Sequence, residues 1–326
     1  MIYLSTTERL GNQMFQYAFA RAMLDKKPEL EGICILYRGK IDNKNWWGNE
    51  LNNFILESGN AWECNRKYKN NFILLIYRIF RKTILQLFPK QIDKFDEYIE
   101  NRQRFFNKHR LYIPRGNSKK IKSFDQPCTK DIWILGNSGT EIPEYFNDIR
   151  NELIHDFTMI KELDFQCKQF LYQINKNKSV CVSIRKGDFL EIKNKKFDIC
   201  SNKYYYSAIK LLEEKVIGPV FYIFSDDIEW VKNNMDFSGS KVIYEINNGD
   251  NSTGVKLTFM RSCKHFIISN STFSWWCAFL GYDENRIIIA PLPWRKDENC
   301  DYFYDEHYIL LDASSGEYVC RGDNLK

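Results

Sequence analysis

The stretch SVCVSIRKGDF, Ser179–Phe189, decides the fold. Its first six residues lack the regular polar alternation of a half-exposed strand, and a polar loop follows at once. Further apolar runs come after it, separated by helical patterns: PVFYIFS, SKVIYE, HFIIS and NRIIIA. Such strands, alternating with helices, are typical of a parallel sheet covered on both faces. The second half is therefore predicted to be α/β, with its ligand beyond the carboxyl ends of the strands.

The loop after the first of these strands carries two adjacent cations, Arg185 and Lys186, just past Ser183. Cations in this position can clamp a phosphate. Gly187 would permit a tight backbone, and Asp188 could fix the guanidinium. The alternative is a surface turn with a local ion pair.

The next such loop, FSDDIEW, holds two adjacent acids. Ser225 or Asp226 can cap the following helix, because serine and aspartate side chains accept hydrogen bonds from its first amides. Capping accounts for one acid only. Of Asp226 and Asp227, the other could hold a ribose or the amino edge of guanine.

The third loop, ISNSTFSWW, runs from Ser269 into a helix that contains Trp275 and Trp276. Amides and hydroxyls at a helix N-terminus favour an anion. The alternative is simple capping, with the tryptophans in the core. The residues predicted to contact substrate here are Asn270, Ser271, Thr272 and Phe273.

The N-terminal half opens with a short strand and then RLGNQMFQYAFARAML, Arg9–Leu24. Its aromatic residues predict a buried helix, and Gly11, Asn12 and Gln13 are predicted to form a loop before it. The strand patterns GICILYRG and DIWILGNSG follow in this half. The length of the chain predicts two domains, which we place at 1–155 and 156–326.

The charge of this chain is concentrated in one segment. Residues 61–122 hold 16 lysines and arginines against 5 acids. Within it, NFILLIYRIFRKTILQLFP predicts an amphipathic helix that is too short and too charged to span a bilayer. It could lie on anionic lipid, or pack on its own domain with a solvated basic edge, which is the preferred alternative. Neither an RNP-like nor a helix-turn-helix pattern supports nucleic-acid binding.

Ten cysteines are scattered without a C-x-x-C pair, which predicts buried free thiols in a reducing, cytoplasmic setting rather than a zinc site or disulfide framework. No signal peptide is evident. P-loop, G-x-G-x-x-G, D-x-D and G-x-S-x-G patterns are absent from the sequence, and the four histidines lack metal-ligand spacing. A departing nucleoside diphosphate would need arginine and a helix dipole in place of a metal.

Taken together, RLGNQMFQYAFARAM, VCVSIRKGDF, FSDDIEWVK and CKHFIISNSTFSWWCAFLG resemble, in order, the α-1,2-fucosyltransferases of glycosyltransferase family eleven. The resemblance implies a GT-B-like fold, with two Rossmann-like α/β domains facing a cleft. In that fold, 1–155 would be the acceptor-side domain and 156–326 the domain that binds the nucleotide sugar. The resemblance also implies GDP-L-fucose as donor, a galactose-like acceptor, inversion at the anomeric carbon, and neither metal nor cofactor. Peripheral contact with the inner face of an anionic membrane is a further expectation, and so is a role in O-antigen biosynthesis.

By position, the resemblance makes Arg185 the arginine that helps GDP depart. Asn12 becomes a loop asparagine facing the reaction centre, so these two residues are the predicted catalytic pair. Asp226 or Asp227 would lie near guanine, and Ser271 and Thr272 near phosphate. The remaining predicted substrate contacts are Gly11, Gln13, Ser183, Lys186, Asp188, Asn270 and Phe273.

Two positions depart from the family motif H-x-R-R-G-D. Ser183 replaces its histidine, and Lys186 replaces its second arginine. A different nucleotide-sugar donor and a non-catalytic nucleotide- or glycan-binding protein therefore remain as alternatives.

Overall fold

A computed structural model gives the fold of residues 1–27, 29–37, 48–56, 72–88, 97–99, 101–114, 130–136, 138–190, 192–246, 252–296 and 299–319. The chain divides into two compact units, Met1–Phe157 and Thr158–Lys326. The predicted boundary, between 155 and 156, lies two residues earlier. The acceptor and donor roles assigned to the two halves stay predictions, and so does the cleft between them.

Unit 1 is built on a four-stranded parallel sheet in the order β2-β1-β4-β3. Its strands are β1 (Ile2–Thr6), β2 (Ile33–Tyr37), β3 (Leu111–Tyr112) and β4 (Ile132–Leu135). Its helices are α1 (Leu10–Asp25), α2 (Phe72–Leu87), α3 (Gln103–Lys108) and α4 (Arg150–Asp156). Short 3-10 turns span Glu50–Asn53, Ser138–Thr140, Pro143–Tyr145 and Asn147–Ile149.

The aromatic N-terminal helix is confirmed as α1. Its side chains Met14, Phe15, Tyr17 and Phe19 are fully buried. This is expected for a helix that follows β1 and packs on the unit 1 sheet. The helix starts earlier than predicted, however. Residues 11–13 lie in its first turns rather than in a preceding loop.

Much of the basic segment 61–122 lies outside the described residues. The described parts form α2, α3 and β3, and β3 pairs with β4, so this part of the segment belongs to the sheet. Leu74 and Tyr77 of α2 are buried against Phe106 and the core of unit 1. The preferred prediction of packing on its own domain is confirmed for this face of α2, but the face turned outward is apolar rather than basic.

Unit 2 holds a six-stranded parallel sheet in the order β10-β9-β8-β5-β6-β7. Its strands are β5 (Ser179–Ile184), β6 (Val220–Ser225), β7 (Val242–Tyr244), β8 (His265–Ile267), β9 (Ile288–Leu292) and β10 (Ile309–Asp312). Its helices are α5 (Phe165–Lys176), α6 (Asn202–Lys215), α7 (Ile228–Asn234), α8 (Thr253–Arg261) and α9 (Thr272–Phe279). Short 3-10 turns span Asp188–Leu190, Ile192–Phe197 and Asp301–Phe303.

The predicted α/β class is confirmed, since both units are parallel sheets with helical crossovers. In unit 2 the sequence missed α5 and β10. Every residue of β5 and β6 is buried, which explains the apolar runs without alternation. Trp275 and Trp276 belong to the core of unit 2, as the capping alternative proposed.

The cysteines correct one prediction. Six are free and buried, namely Cys167, Cys181, Cys200, Cys263, Cys277 and Cys300. Cys34 is instead disulfide-bonded, so free thiols do not describe every cysteine. Among the helices that the structure describes, none has the length and apolar character to cross a bilayer.

Candidate active site

The strand order of unit 2 reverses direction between β5 and β8. From this neighbouring pair the chain proceeds outward in opposite directions, through β6 and β7 on one side and β9 and β10 on the other. Helices leaving the two strands diverge at such a switch point, and parallel sheets bind ligands there, beyond the carboxyl ends of the strands. The loops after β5 and β8 are the two that carry Arg185 and the Ser-Asn-Ser-Thr run.

Buried hydroxyls join these two loops. The Ser183 Oγ lies 2.5 Å from the Ser274 Oγ on α9, and the Ser274 Oγ lies 3.0 Å from that of Ser269. Ser183 is therefore engaged inside the fold, at the position where the family motif has histidine. Sequence reasoning missed Ser274, because nothing local shows that a helical serine faces a strand 91 residues away.

Arg185 is held from two sides. Its Nε lies 3.2 Å from the Asp226 Oδ2, and its guanidinium lies 5.4 Å from the centre of the Phe189 ring. With 21% of its side chain exposed, the charge is fixed but not sealed off. The arrangement suits a preorganised cation at the edge of a sheet.

Asp226 is a carboxylate that holds Arg185, and sequence reasoning did not find it. The prediction that Asp188 fixes the guanidinium stays a prediction. The register of β5 and β6 pairs Ile184 with Ser225, so the residues that follow these two strands are neighbours. Asp188 begins the 3-10 turn Asp188–Leu190, and its side chain lies outside the described part of the structure.

Lys186 is bound within the fold. Its amide donates to the Asp226 Oδ1 at 2.9 Å, and its ammonium donates to Asp198 at 2.6 Å and to the Cys200 carbonyl at 3.1 Å. The ammonium predicted to contact phosphate therefore fastens the segment before α6. Asp198 gave no sequence signal, since its partner is 12 residues away across a loop.

Gly187 is required by the approach of Asp226. A Cβ at this position would lie 2.7 Å from the Asp226 Oδ2, closer than van der Waals contact allows. The predicted tight backbone is thus present, and the space that a side chain at Gly187 would need is taken by the Asp226 carboxylate.

The two adjacent acids after β6 have separate tasks. Asp227 is the N-cap of α7 and accepts from the Trp230 amide at 2.9 Å, whereas Asp226 turns to the Arg185 loop. The prediction that Ser225 or Asp226 caps the helix was therefore wrong by one residue. Sequence reasoning also missed Glu245, which accepts from the Ser225 amide at 2.9 Å.

The N-terminus of α9 is open at its cap. Ser271 is the N-cap residue in an extended conformation, and its side chain makes no capping hydrogen bond. Ser271, Thr272 and Phe273 are partly exposed. Amides of a first turn that are not capped by a side chain can be satisfied by an anionic ligand.

Asn270, just before this helix, binds the same segment, Phe197–Cys200, that Lys186 binds. Its side-chain amide donates to the Phe197 carbonyl at 2.9 Å, and its Oδ1 accepts from the Cys200 thiol at 3.5 Å. Burial raises the pKa of Cys200 to about 12, so the group stays a neutral donor. Lys186 and Asn270 thus hold Phe197–Cys200 from two loops.

The predicted residues of unit 1 lie at the start of α1. Gln13 is completely buried. Its amide nitrogen donates to the carbonyls of Glu8 at 2.7 Å and Gly48 at 3.1 Å, and its oxygen accepts from the Glu50 amide at 3.1 Å. Gln13 therefore joins this turn to residues 48–50 inside the fold. Gly11 is buried as well.

Asn12 remains half-buried, and its side-chain amide donates to the Glu8 carboxylate. Glu8 itself has φ of +69°, a left-handed conformation that is uncommon for a residue with a side chain. The Leu10 amide, at the first residue of α1, donates to the Glu50 carboxylate at 2.8 Å, although the two residues are 40 positions apart in the chain. Neither glutamate was identified from the sequence.

Comparison with known proteins now identifies the chain. The family model of Glycosyl transferase family 11 matches residues 1–309. The chain belongs to glycosyltransferase family 11. This confirms the family inferred from the motifs and makes the protein a glycosyltransferase.

Two curated relatives of this family 11 chain match almost its whole length, and a third matches less than half. It is 30% identical to an alpha-1,2-colitosyltransferase of Escherichia coli, over 90% of this chain and 92% of that protein. It is 26% identical to the O-antigen biosynthesis glycosyltransferase WbnK of the same organism, over 95% and 100%. A galactoside alpha-(1,2)-fucosyltransferase 2 of Pongo pygmaeus is 24% identical over 42% of each chain.

Proposed function

We propose that this family 11 glycosyltransferase transfers L-fucose from GDP-fucose to the 2-hydroxyl of a galactose-like residue. The acceptor would be a surface glycan or its lipid-linked precursor, and the reaction would invert the anomeric centre without a metal. Relatives named for α-1,2 transfer support the linkage, and the O-antigen relative supports the class of acceptor.

The observation that carries the proposal is the fixed position of Arg185. It follows the first strand at the switch point of the unit 2 sheet, and Asp226 and Phe189 hold it in place. A guanidinium so held matches the two charged oxygens of a diphosphate better than an ammonium does. The open N-terminus of α9 would add a partial positive charge on the next loop.

In the proposed reaction, the acceptor oxygen forms a bond to the anomeric carbon as the bond to the diphosphate oxygen breaks. GDP leaves with the electron pair, and the acceptor proton passes to a carboxylate or to water. Arg185 and the first turn of α9 stabilise the departing charge, which grows towards the transition state. Asn12 would act at the reaction centre from unit 1, and Asp226 or Asp227 near guanine.

Colitose is a second candidate sugar, because a relative matching 90% of the chain is named for it. Colitose is fucose without its 3-hydroxyl, so the two donors share the diphosphate leaving group. The contacts of Arg185 would serve both. Only a group facing the 3-hydroxyl would distinguish them.

A donor and acceptor screen tests the proposal. The purified chain is incubated with GDP-fucose, GDP-colitose or a UDP-hexose and with a galactoside acceptor, and products are analysed by mass spectrometry and linkage analysis. The matched control acceptor is the 2-deoxygalactoside. We expect transfer from GDP-fucose to the galactoside, none to the control, and full activity in EDTA.

Other outcomes would change the proposal in specific ways. Preference for GDP-colitose would replace the sugar but keep the site. Transfer from a UDP-sugar would overturn the nucleotide, and loss of activity in EDTA would overturn metal independence. Tight GDP binding without transfer to any galactoside would indicate the non-catalytic alternative.

A further inference from the structure

Helix α2 presents an exposed apolar face, which the proposed transfer reaction does not use. Its sequence is FILLIYRIFRKTILQL, and it has exposed large apolar side chains at positions three and four residues apart: Phe72, Leu75, Ile76, Ile79, Phe80 and Leu87. Residues with this spacing lie on one side of a helix. Phe88, directly after α2, is exposed as well.

The inward side of the same helix is already occupied. Leu74 and Tyr77 are buried, and the Tyr77 ring contacts Phe106 of the neighbouring α3 edge-on, with ring centres 6.5 Å apart. Packing on unit 1 therefore fixes α2 in place without covering its apolar side. Exposed apolar patches of this kind mark interaction sites.

A polar side chain on the apolar face is satisfied by the helix itself. The Thr83 hydroxyl donates to the Ile79 carbonyl at 2.9 Å. Entry of this face into an apolar medium therefore leaves that hydroxyl with its partner. Gln86 lies on the same side, near the C-terminal end of the helix.

Cations line one edge of the apolar face. Lys82 is exposed, and it lies one turn from Arg78, in the row beside Leu75 and Ile79. Residues 72–88 contain Arg78, Arg81 and Lys82 but no aspartate or glutamate. The wider segment 61–122 has 16 cations against 5 acids.

These charges select the partner. Two copies of the chain joined through this face would bring the positive charge of both helices to one interface, with no acidic residue of α2 to offset it, which is unfavourable. An anionic bilayer offers both an apolar interior and negative headgroups, and helices with one apolar and one cationic side lie in that interface. The 16 residues of α2 are also fewer than the roughly 20 needed to span a bilayer.

We propose that α2 docks the chain on an anionic lipid bilayer. Phe72, Ile76, Ile79 and Phe80 enter the boundary between headgroups and acyl chains, while Lys82 lies among the phosphates. The helix lies parallel to the membrane plane, and unit 1 stands on it. The inference does not depend on the donor or acceptor of the transfer reaction.

Flotation of the full chain with vesicles tests this inference. The probes are phosphatidylcholine vesicles with and without phosphatidylglycerol. We expect binding to the anionic vesicles to be stronger by about tenfold or more, since each nearby cation contributes about fivefold. Lys82→Gln should weaken anionic binding and leave the weak neutral binding unchanged.

Apolar variants make the test specific to α2. Ile79→Gln combined with Phe80→Gln should reduce binding at least about tenfold, because two apolar side chains no longer enter the bilayer. Phe72→Ser and Phe165→Ser form a matched pair, since each is the first residue of its helix, with 71% and 73% exposure. Only the α2 variant should weaken binding.

All of these side chains are exposed, so we expect unchanged circular dichroism and melting temperature. Equal flotation of the double variant and the wild type would overturn the proposal, as would no wild-type binding to anionic vesicles. A concentration-dependent dimer that the double variant abolishes, with no vesicle binding, would make a second copy the occupant and would also overturn it.

Discussion

The segments that follow β1 and β5 occupy the same place in their units, at the carboxyl end of a sheet's first strand, yet their polar residues have different partners. After β5, Arg185 is tied to a carboxylate of the next strand and stays partly exposed. After β1, Gln13 is fully buried, with three hydrogen bonds to backbone groups. Position at the end of a strand predicts a ligand site at both segments. The partners of the side chains show that the segment after β5 presents a charged group, that of Arg185, to solvent, whereas Gln13 after β1 is enclosed in the fold.

Loss of the Arg185 guanidinium should have the largest effect. For Arg185→Ala we expect turnover to fall on the order of a hundredfold or more, because the departing diphosphate loses a preorganised cation. The measurement is kcat for transfer with the donor and acceptor found in the screen. Arg185→Lys, which keeps the charge but loses the fork, should recover only part of the loss.

Near-normal turnover of Arg185→Ala would mean that the segment after β5 supplies no charge that catalysis needs, so its contrast with the segment after β1 would be lost. A loss of activity that merely follows loss of folding would do the same, so the melting temperature of each variant is measured in parallel.

The neighbours Asn12 and Gln13 test the start of α1, which follows β1. Gln13→Ala should lower the free energy of unfolding by about 2 kcal/mol, because it leaves buried backbone groups without partners. Asn12→Ala should instead keep the melting temperature and lower turnover, as its side chain is half-buried. Chemical denaturation and transfer kinetics on the same preparations separate the two effects.

If Asn12→Ala loses stability and activity together, the start of α1 is structural throughout. Unchanged stability of Gln13→Ala would show that its three hydrogen bonds contribute nothing net.

The adjacent acids Asp226 and Asp227 test the loop after β6 in the same way. Asp226→Asn should lower kcat about tenfold, since a weakened bond at the Arg185 Nε loosens a positioned cation. Asp227→Asn should mainly destabilise α7, by about 1 kcal/mol or less, because the cap of the Trp230 amide is altered. Calorimetric GDP affinity, measured beside kcat, tells positioning from direct contact with guanine.

A loss of GDP affinity in Asp227→Asn, with normal kcat in Asp226→Asn, would reverse the two assignments. Asp227 would then be the acid near guanine, and Asp226 would be dispensable.

The smallest expected effect concerns the amino ends of the unit 2 strands, opposite the ends that carry Arg185. His265, at the start of β8, is half-buried and accepts from the Ile287 amide at 3.1 Å. Burial is the main cause that lowers its pKa below the ordinary 6.5. The unfolded chain then binds the proton more readily, so stability contributed by neutral His265 is present above pH 6.5 and is lost as pH falls through the folded pKa.

Melting temperatures across this pH range should therefore decline on acidification, and less so for His265→Gln. A pH dependence that is identical in the variant would assign the decline to other groups. The pH profile of transfer should not follow this titration, because His265 lies at the edge away from Arg185.

The sequence predicted much of unit 2 because its strands are buried on both faces and read as apolar runs. The same logic placed Arg185 at a strand end without any contact information. It proposed Asp188 as the carboxylate for Arg185 because that residue is nearby in the chain, and it did not find Asp226. Asp226 lies next to Arg185 because β5 and β6 pair in parallel.

Lys186 and Ser183 show why departures from a motif are hard to judge from residues alone. Either could have marked a decayed site. Instead, Lys186 bonds Asp198 and the Cys200 carbonyl, and Ser183 bonds Ser274. Both belong to the network that holds the two loops of the switch point.

By itself, the sequence determined the α/β class, the family and the strand ends where polar residues gather, because apolar periodicity and short motifs are local properties. The tertiary structure alone decided which of those residues present a charge at the surface, as Arg185 does, and which are hydrogen-bonded inside the fold, as Lys186 and Ser183 are. It also turned the apolar side of α2 outward, because Leu74 and Tyr77 are the residues buried on unit 1. Such contacts join positions far apart in the chain, and local patterns do not encode them.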